Sequence, residues 1–419
     1  MEPRMQRALH IAATNALAAD DRGRWRVPSQ TGTGTYLVVV TADGSWACSC
    51  PDGEVTARCK HALAVEVTCQ REARRPAVRY TPVDTVKYTQ NWHTYNRAQT
   101  NEKDMFLALL HELCSTVPQP VQEGRGQRIL PLADLVFAMV HRTYTGLSAR
   151  RFQSDIRDAA DAGLIGSTPD WSSVLRYLGR ADLTPILVGL IELSAHPLTA
   201  VERDFAVDSS GFGTTNKVSW FSTKHGRVIE SRVWRKAHIM CGVRTHIVTA
   251  VTVTDKNGAD SPEFPGLVDT TIANGFDIEQ VSADKAYLSY ANMQHVEDAG
   301  AVPFVPFKSN SISPVIEDSA WARMYHRFAY DRERFDADYH KRSNVETTFS
   351  MVKRKFGDSL RGRTTTAQDN EVLTKLIAHN LCRLVHAHYE LGITPDLAAC
   401  TTPEPATPVE PERHLRVVR

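Results

Sequence analysis

At 419 residues the chain is longer than one typical core requires, so two to four domains are expected. Lysine and arginine number 49 against 48 aspartates and glutamates, a balance that leaves the bulk charge silent about partners. No run of about 18 apolar residues exists to span a membrane, and 8 cysteines in so long a chain exclude a disulfide scaffold and suit a reducing cytosol. The charge is local instead. Residues 341–363 carry seven basic side chains against Glu346 and Asp358, a net of +5, and residues 71–79 carry four arginines against Glu72. Two basic patches in a neutral chain point to contact with a polyanion. The opening residues 1–24 lack the long apolar core of a signal peptide and read as a short amphipathic helix, so a cytoplasmic location is expected.

After that helix, residues 24–29 and 35–50 read as strands, the second folding back at Asp43-Gly44, a type I′ turn pair. The hairpin delivers Cys48 and Cys50; a loop at 51–58 follows, then Cys59-Lys60-His61 and a helix carrying His61 near its start. Three thiolates and one imidazole at Cys48, Cys50, Cys59 and His61 match a closed tetrahedral Zn²⁺ site. Such a staple suits a module at 1–75 that is too small to fold readily alone. Asp43 and Asp52 read as turn residues. The pattern Cys-x-Cys-x8-Cys-x-His resembles the SWIM zinc finger, whose members support DNA or protein binding.

Residues 76–100 show no clear period and read as a linker. Helical patterns follow at 103–114, 131–144, 148–162 and 171–178, with a further apolar stretch at 183–194, giving an all-α domain over 101–200. Arg150, Arg151, Arg157, Arg176 and Arg180 on these segments are compatible with a helix-turn-helix DNA reader and with an ordinary helical bundle.

Residues 204–212 read as a strand ending in Asp208 and a Ser-Ser-Gly turn. Residues 217–222 and the β-branched run 238–255 give two more strands, 262–274 a helix, and 278–283 a strand that delivers Asp284, where another helix begins. The result is a mixed sheet with Asp208 and Asp284 at strand ends. The stretch 339–355, YHKRSNVETTFSMVKRK, reads as one helix. At roughly 100° per residue, steps of three, four and seven keep Tyr339, Arg342, Glu346 and Lys353 on one face. Val345, Phe349, Val352 and Phe356 form an apolar stripe beside it, suited to packing on a sheet. A lone glutamate among cations is often a solvated face. Nearby acids at 317, 318, 331, 333, 336 and 338 could compete with Glu346 as the third carboxylate, but none sits on a comparable amphipathic pattern. Asp208, Asp284 and Glu346, with no Cys or His beside them, suit Mg²⁺ or Mn²⁺ rather than Zn²⁺.

These residues carry a second resemblance. Asp208, Asp284 and Glu346 look like the DDE triad of RNase H-like transposases. Tyr339-x2-Arg342-x3-Glu346-x6-Lys353 matches the Tyr-Arg-Glu-Lys signature of a large bacterial insertion-sequence group. The resemblance implies an α/β RNase H-like catalytic domain over 201–395 that cleaves transposon-end phosphodiesters and joins the freed 3′-OH to target DNA by two-metal-ion catalysis. It implies double-stranded DNA as partner, a homodimer bridging two DNA ends, and a prokaryotic protein that is nucleoid-associated when bound to DNA. Asp208 and Asp284 would hold the metals and Glu346 would complete the site. Arg342 and Lys353 would meet phosphate oxygens, while Tyr339 would donate to a phosphate, stack on a displaced base, or simply pack. Two other readings stay open: a non-catalytic, transposon-derived DNA-binding regulator, and a nuclease of the same fold that cuts without joining. Downstream, residues 373–389 read as a helix that would cover the sheet; its His379, His386 and His388 lack metal-site context. The Pro-, Thr- and Glu-rich residues 396–419 read as a disordered tail. The fold expected is therefore multidomain: a small α+β zinc module, an all-α middle domain and an α/β domain with a mixed sheet.

Overall fold

The computed structural model describes residues 3–15, 17–30, 32, 34–41, 44–55, 58–74, 91–121, 129–214, 234–312 and 318–397. The chain divides into two units, one formed by Met1–His93 with Thr199–Arg361, the other by Thr94–Leu198 with Gly362–Arg419.

The first unit opens with a helix at Pro3–Thr14 and a three-stranded antiparallel sheet, β1 (Trp25–Pro28), β2 (Thr35–Val40) and β3 (Trp46–Cys48). Trp25, Val27 and Val38 alternate inward and pack with Ala8 and Ile11 of the opening helix and Ala62–Val65 of the helix Lys60–Arg74. Gly44 takes φ 81, while Asp43 lies outside the described residues. The segment read as a loop from 51 begins with a short helix, Pro51–Val55, for which Pro51 is a favourable first residue.

The opening helix has a second face. Ala13 joins a cluster with Phe304, Phe307, Trp321, Phe328 and Phe335. His10, 6 % exposed, has Nδ1 at 2.8 Å from the Tyr325 hydroxyl and Nε2 at 2.5 Å from the Ser309 carbonyl oxygen. A carbonyl only accepts, so Nε2 carries the proton and Nδ1 accepts from Tyr325.

The same unit holds a mixed sheet of β4 (Asp204–Thr214), β5 (Trp234–Gly242), β6 (Val248–Asp255), β7 (Gln280–Ala283), β8 (Val302–Phe304) and β9 (Ser359–Leu360). Its order is β6-β5-β4-β7-β8, with β9 pairing the far end of β4. The first three neighbours are antiparallel, and β7 and β8 continue parallel to β4. Two expectations change here. β4 does not end at Asp208 but continues through the Ser-Ser-Gly segment, because β5 pairs with it as far as Gly213. The run 238–255 is not one strand: it folds back between Gly242 and Val248. His246 takes φ 62 there, and the buried Glu202 carboxylate accepts the Arg244 and Thr245 N–H groups at 3.1 and 2.5 Å. The strand read at 217–222 lies outside the described residues.

Helices at Phe264–Ala273, Tyr290–Asp298, Ala320–Tyr330, Arg332–Tyr339 and Ser343–Phe356 complete the unit. The stretch read as one helix from 339 is broken: Tyr339 ends one helix, His340–Arg342 form a 3-10 turn, and a new helix starts at Ser343. Val345, Phe349 and Val352 are buried beneath it, as the apolar stripe requires.

In the second unit, Glu102–Ser115, Leu132–Thr145 and Leu183–Ala195 pack on the long helix Thr365–Leu391, which the sequence had suggested as a cover for the sheet. Trp171–Leu178 forms where its pattern predicts. The pattern at 148–162 shortens to Gln153–Asp161, and residues read as linker include a helix at Trp92–Thr100. Buried Asn370 donates to the carbonyls of Leu178 and Arg180 at 2.8 and 3.0 Å and accepts from Thr184, so its amide is satisfied inside the core. The tail expected to be disordered lies almost wholly outside the described residues.

Candidate active site

Parallel pairing of β4 with β7 sets Val207 opposite Ala283. The next residue on each strand is Asp208 and Asp284, so the ladder itself delivers two carboxylates on neighbouring strands, which run about 4.8 Å apart. Asp208 Oδ1 accepts the Ser209 N–H at 2.8 Å, and Asp284 Oδ1 accepts the Lys285 N–H at 2.6 Å, capping a short 3-10 turn over Lys285–Tyr287.

The third carboxylate arrives from the helix Ser343–Phe356, with Glu346 in its first turn. Arg342, the residue before that helix, donates from Nη1 to Asp208 Oδ2 at 3.1 Å and from Nη2 to Glu346 Oε1 at 2.5 Å. One guanidinium thus ties strand to helix. Its rigid fork can do this where an ammonium point charge could not. The Asp208 and Arg342 side chains are 21 % and 20 % exposed and that of Glu346 is 57 % exposed, so one carboxylate is recessed and one reaches solvent. Burial raises the Asp208 carboxyl above its ordinary value and the Asp284 and Glu346 charges add to this, while the Ser209 N–H and Arg342 oppose it.

Side chains alternate along β4, so Asp208, Ser210 and Phe212 share the face under this helix. Lys353 Nζ donates to Ser210 Oγ at 2.6 Å and lies 5.2 Å from the Phe212 ring centroid; burial lowers its pKa. Tyr339 stacks on Phe335 with centroids 6.2 Å apart and lies 6.0 Å from the Arg342 guanidinium; burial raises its phenol. The face predicted for Tyr339, Arg342, Glu346 and Lys353 therefore survives the helix break, but Tyr339 and Lys353 point partly into packing.

Two contacts were not legible beforehand. Lys341, counted only in the basic patch, donates to Asp204 at 2.9 Å and Gln280 at 3.1 Å, tying the break to the starts of β4 and β7. His246 Nδ1 lies 3.2 Å from both the Asn344 carbonyl and Thr348 Oγ1, docking the β5–β6 turn on the helix that carries Glu346. Nothing local in the sequence marks either.

Asp208, Asp284 and Glu346 offer oxygen alone, the donor chemistry of Mg²⁺ or Mn²⁺. They are not drawn tightly together, since Arg342 stands between two of them. Among the described residues, the group whose His, Cys or carboxylate ligand atoms all lie within 4.8 Å of one another is Cys48, Cys50, Cys59 and His61. Both ring nitrogens of His61 are buried there with no hydrogen-bond partner. Cys50 Sγ accepts the Gly53 N–H at 3.1 Å and Cys59 Sγ the Ala62 N–H at 3.4 Å. Mutual hydrogen bonding pushes the Cys48 thiol up and the Cys59 thiol down. Three clustered sulfurs and an orphaned imidazole fit a soft, four-coordinate ion.

No solved structure matches the chain. Residues 199–381, which span the sheet, Asp208, Asp284, Glu346 and the Tyr339–Lys353 positions, match the family model described as the transposase DDE domain.

Proposed function

We propose that the protein is a DNA transposase that cleaves phosphodiesters at transposon ends and joins the freed 3′-OH to target DNA, with Asp208, Asp284 and Glu346 as its catalytic carboxylates. The observation that carries this reading is the Arg342 guanidinium bonded at once to Asp208 and Glu346, beside the strand that delivers Asp284. The strand order around Asp208, three antiparallel strands followed by two parallel ones, supports the RNase H-like assignment. Asp208, Asp284 and Glu346 would hold Mg²⁺ or Mn²⁺, and a pair of such ions activates the attacking oxygen and stabilises the leaving one. The chain's own residues then have distinct tasks. Asp208 and Asp284 are fixed by the ladder. Glu346, exposed on its helix, is free to turn toward them, which releases Arg342 to bind a phosphate oxygen pair. Lys353 braces Ser210 under the helix, and Tyr339 shields the cluster from the side of Phe335.

Cys48, Cys50, Cys59 and His61 would hold Zn²⁺ as a structural staple of a SWIM-type module. Double-stranded DNA is the partner, a homodimer on paired ends the working assembly, and a prokaryotic cytoplasm the setting. The test is a strand-transfer assay with Mg²⁺ and labelled DNA carrying the inverted repeats that flank the gene. Wild type should cut and join, and Asp208→Ala and Glu346→Ala should do neither. Tight binding of the ends without cutting would establish the regulator instead, and cutting without joining would establish the nuclease.

A further inference from the structure

Ser209 faces away from the helix that carries Glu346, because its neighbours Asp208 and Ser210 face toward it. On that rear face Asp260 Oδ1 accepts from Ser209 Oγ at 2.7 Å and from Lys236 Nζ at 2.7 Å, with His238 Nδ1 at 3.3 Å. Lys236 and His238 lie on β5, His238 directly opposite Ser209 in the register, and His238 Nε2 is 2.9 Å from Thr254 Oγ1 on β6. Lys236 Nζ also donates to the Gly258 carbonyl at 3.1 Å, closing the loop that bears Asp260. The next residue, Ser261, accepts from buried Asn292 Nδ2 at its carbonyl (3.1 Å) and hydroxyl (3.0 Å), and the same amide donates to the Tyr287 carbonyl at 2.9 Å. Tyr287 closes the turn that Asp284 caps.

One short loop is therefore linked to both aspartate-bearing elements, directly one residue from Asp208 and through Asn292 three residues from Asp284. Burial works to raise the Asp260 carboxyl, but its bonds from Lys236 and Ser209 outweigh this and hold it below the usual range, so it stays an ionised acceptor. A loop needs no half-buried charge cluster merely to pack, since apolar contacts do that without desolvating ions. We propose that Asp260 is a positioning residue: through Ser209 on one side and Ser261–Asn292 on the other, it fixes the separation of Asp208 and Asp284 at which a divalent cation is taken up. The proposal rests on the transposase reading of that site.

The test uses full-length protein with Zn²⁺ in the buffer and duplex end-repeat DNA, and follows Mn²⁺ uptake by electron paramagnetic resonance alongside DNA cleavage and thermal unfolding. Asp260→Ala is expected to weaken Mn²⁺ uptake about 10-fold, the effect typical of groups that orient metal ligands. Ser209→Ala removes only one hydroxyl and keeps the fold; it should weaken uptake several-fold with the unfolding midpoint within about 2 °C of wild type. Asp260→Asn, which retains an oxygen for Ser209, should fall between wild type and Asp260→Ala. Should Asp260→Ala not fold, Ser209→Ala alone decides. Wild-type Mn²⁺ uptake by these variants, with uptake lost in Asp208→Ala, would overturn the positioning role and leave the transposase reading intact. Absence of uptake by wild type, or undiminished uptake by Asp208→Ala, would overturn the reading of the site itself.

Discussion

Arg342 does more at this site than the helical spacing of its neighbours suggests. The bond to Asp208 crosses 134 residues of sequence, and it counters a carboxylate that burial already penalises. Arg342→Lys keeps the charge but cannot span Asp208 and Glu346 together. It should lower DNA cleavage by about 10²-fold, as removal of a preorganised charged donor does, while thermal unfolding changes little; wild-type cleavage by the variant would remove Arg342 from the site. In the helical unit, His141 makes the opposite statement. It is buried between Phe137 and Phe152 with both ring nitrogens unpaired, and burial, with a lesser push from Lys103, lowers its pKa to about 4. Because the folded value lies below the unfolded one, the neutral ring's contribution is present above the unfolded pKa and is lost as pH falls through the folded value. Linkage predicts a loss of about 2 kcal/mol between pH 7 and 5, which His141→Phe should remove in paired denaturation curves. Glu346 and its spacing to Arg342 were readable because a helix repeats locally. Asp260 was not, since its partners come from two strands, β4 and β5, that lie far from it in sequence.

The same contrast holds for elements. Trp171–Leu178 was legible to the residue because Asp170 caps it, accepting the Ser172 N–H at 2.9 Å, and Gly179 ends it. The run 238–255 was misread because the β-branched residues after His246 dominate its pattern, while the turn between Gly242 and Val248 depends on distant Glu202. Lysines and arginines in a helical register likewise concealed the break before Ser343. In the cysteine module the elements were legible, and the packing explains one more residue. A Cβ on Gly53 would lie 2.5 Å from the Cys48 carbonyl oxygen and 2.8 Å from Cys48 Cβ. Gly53→Ala should therefore cost about 1–3 kcal/mol and weaken Zn²⁺ retention, measurable by chelator competition. Stripping Zn²⁺ from wild type should expose the β1–β3 sheet and the start of the helix Lys60–Arg74 to rapid hydrogen exchange, and unchanged protection would show that the four ligands need no metal.

Across the whole molecule, each unit is assembled from two separated stretches of chain, a property no local pattern encodes. The cysteine module reads from sequence as self-contained, yet its opening helix is shared with the cluster around Phe307 and Phe328. His10→Ala removes one buried and one part-buried hydrogen bond and should destabilise the protein by about 1–3 kcal/mol, and Tyr325→Phe by less; equal unfolding midpoints for His10→Ala and wild type would mean the contact holds nothing. That contact also sets a timetable. His10 and Tyr325 are 315 residues apart, so at a synthesis rate of about 5–20 residues per second the histidine leaves the ribosome roughly 15–60 s before its partner exists. Through that interval the face bearing His10 and Ala13 stays uncovered, and the packing of the opening helix on the helix Lys60–Arg74 is what can keep this surface in order until the helices that will receive it have been made.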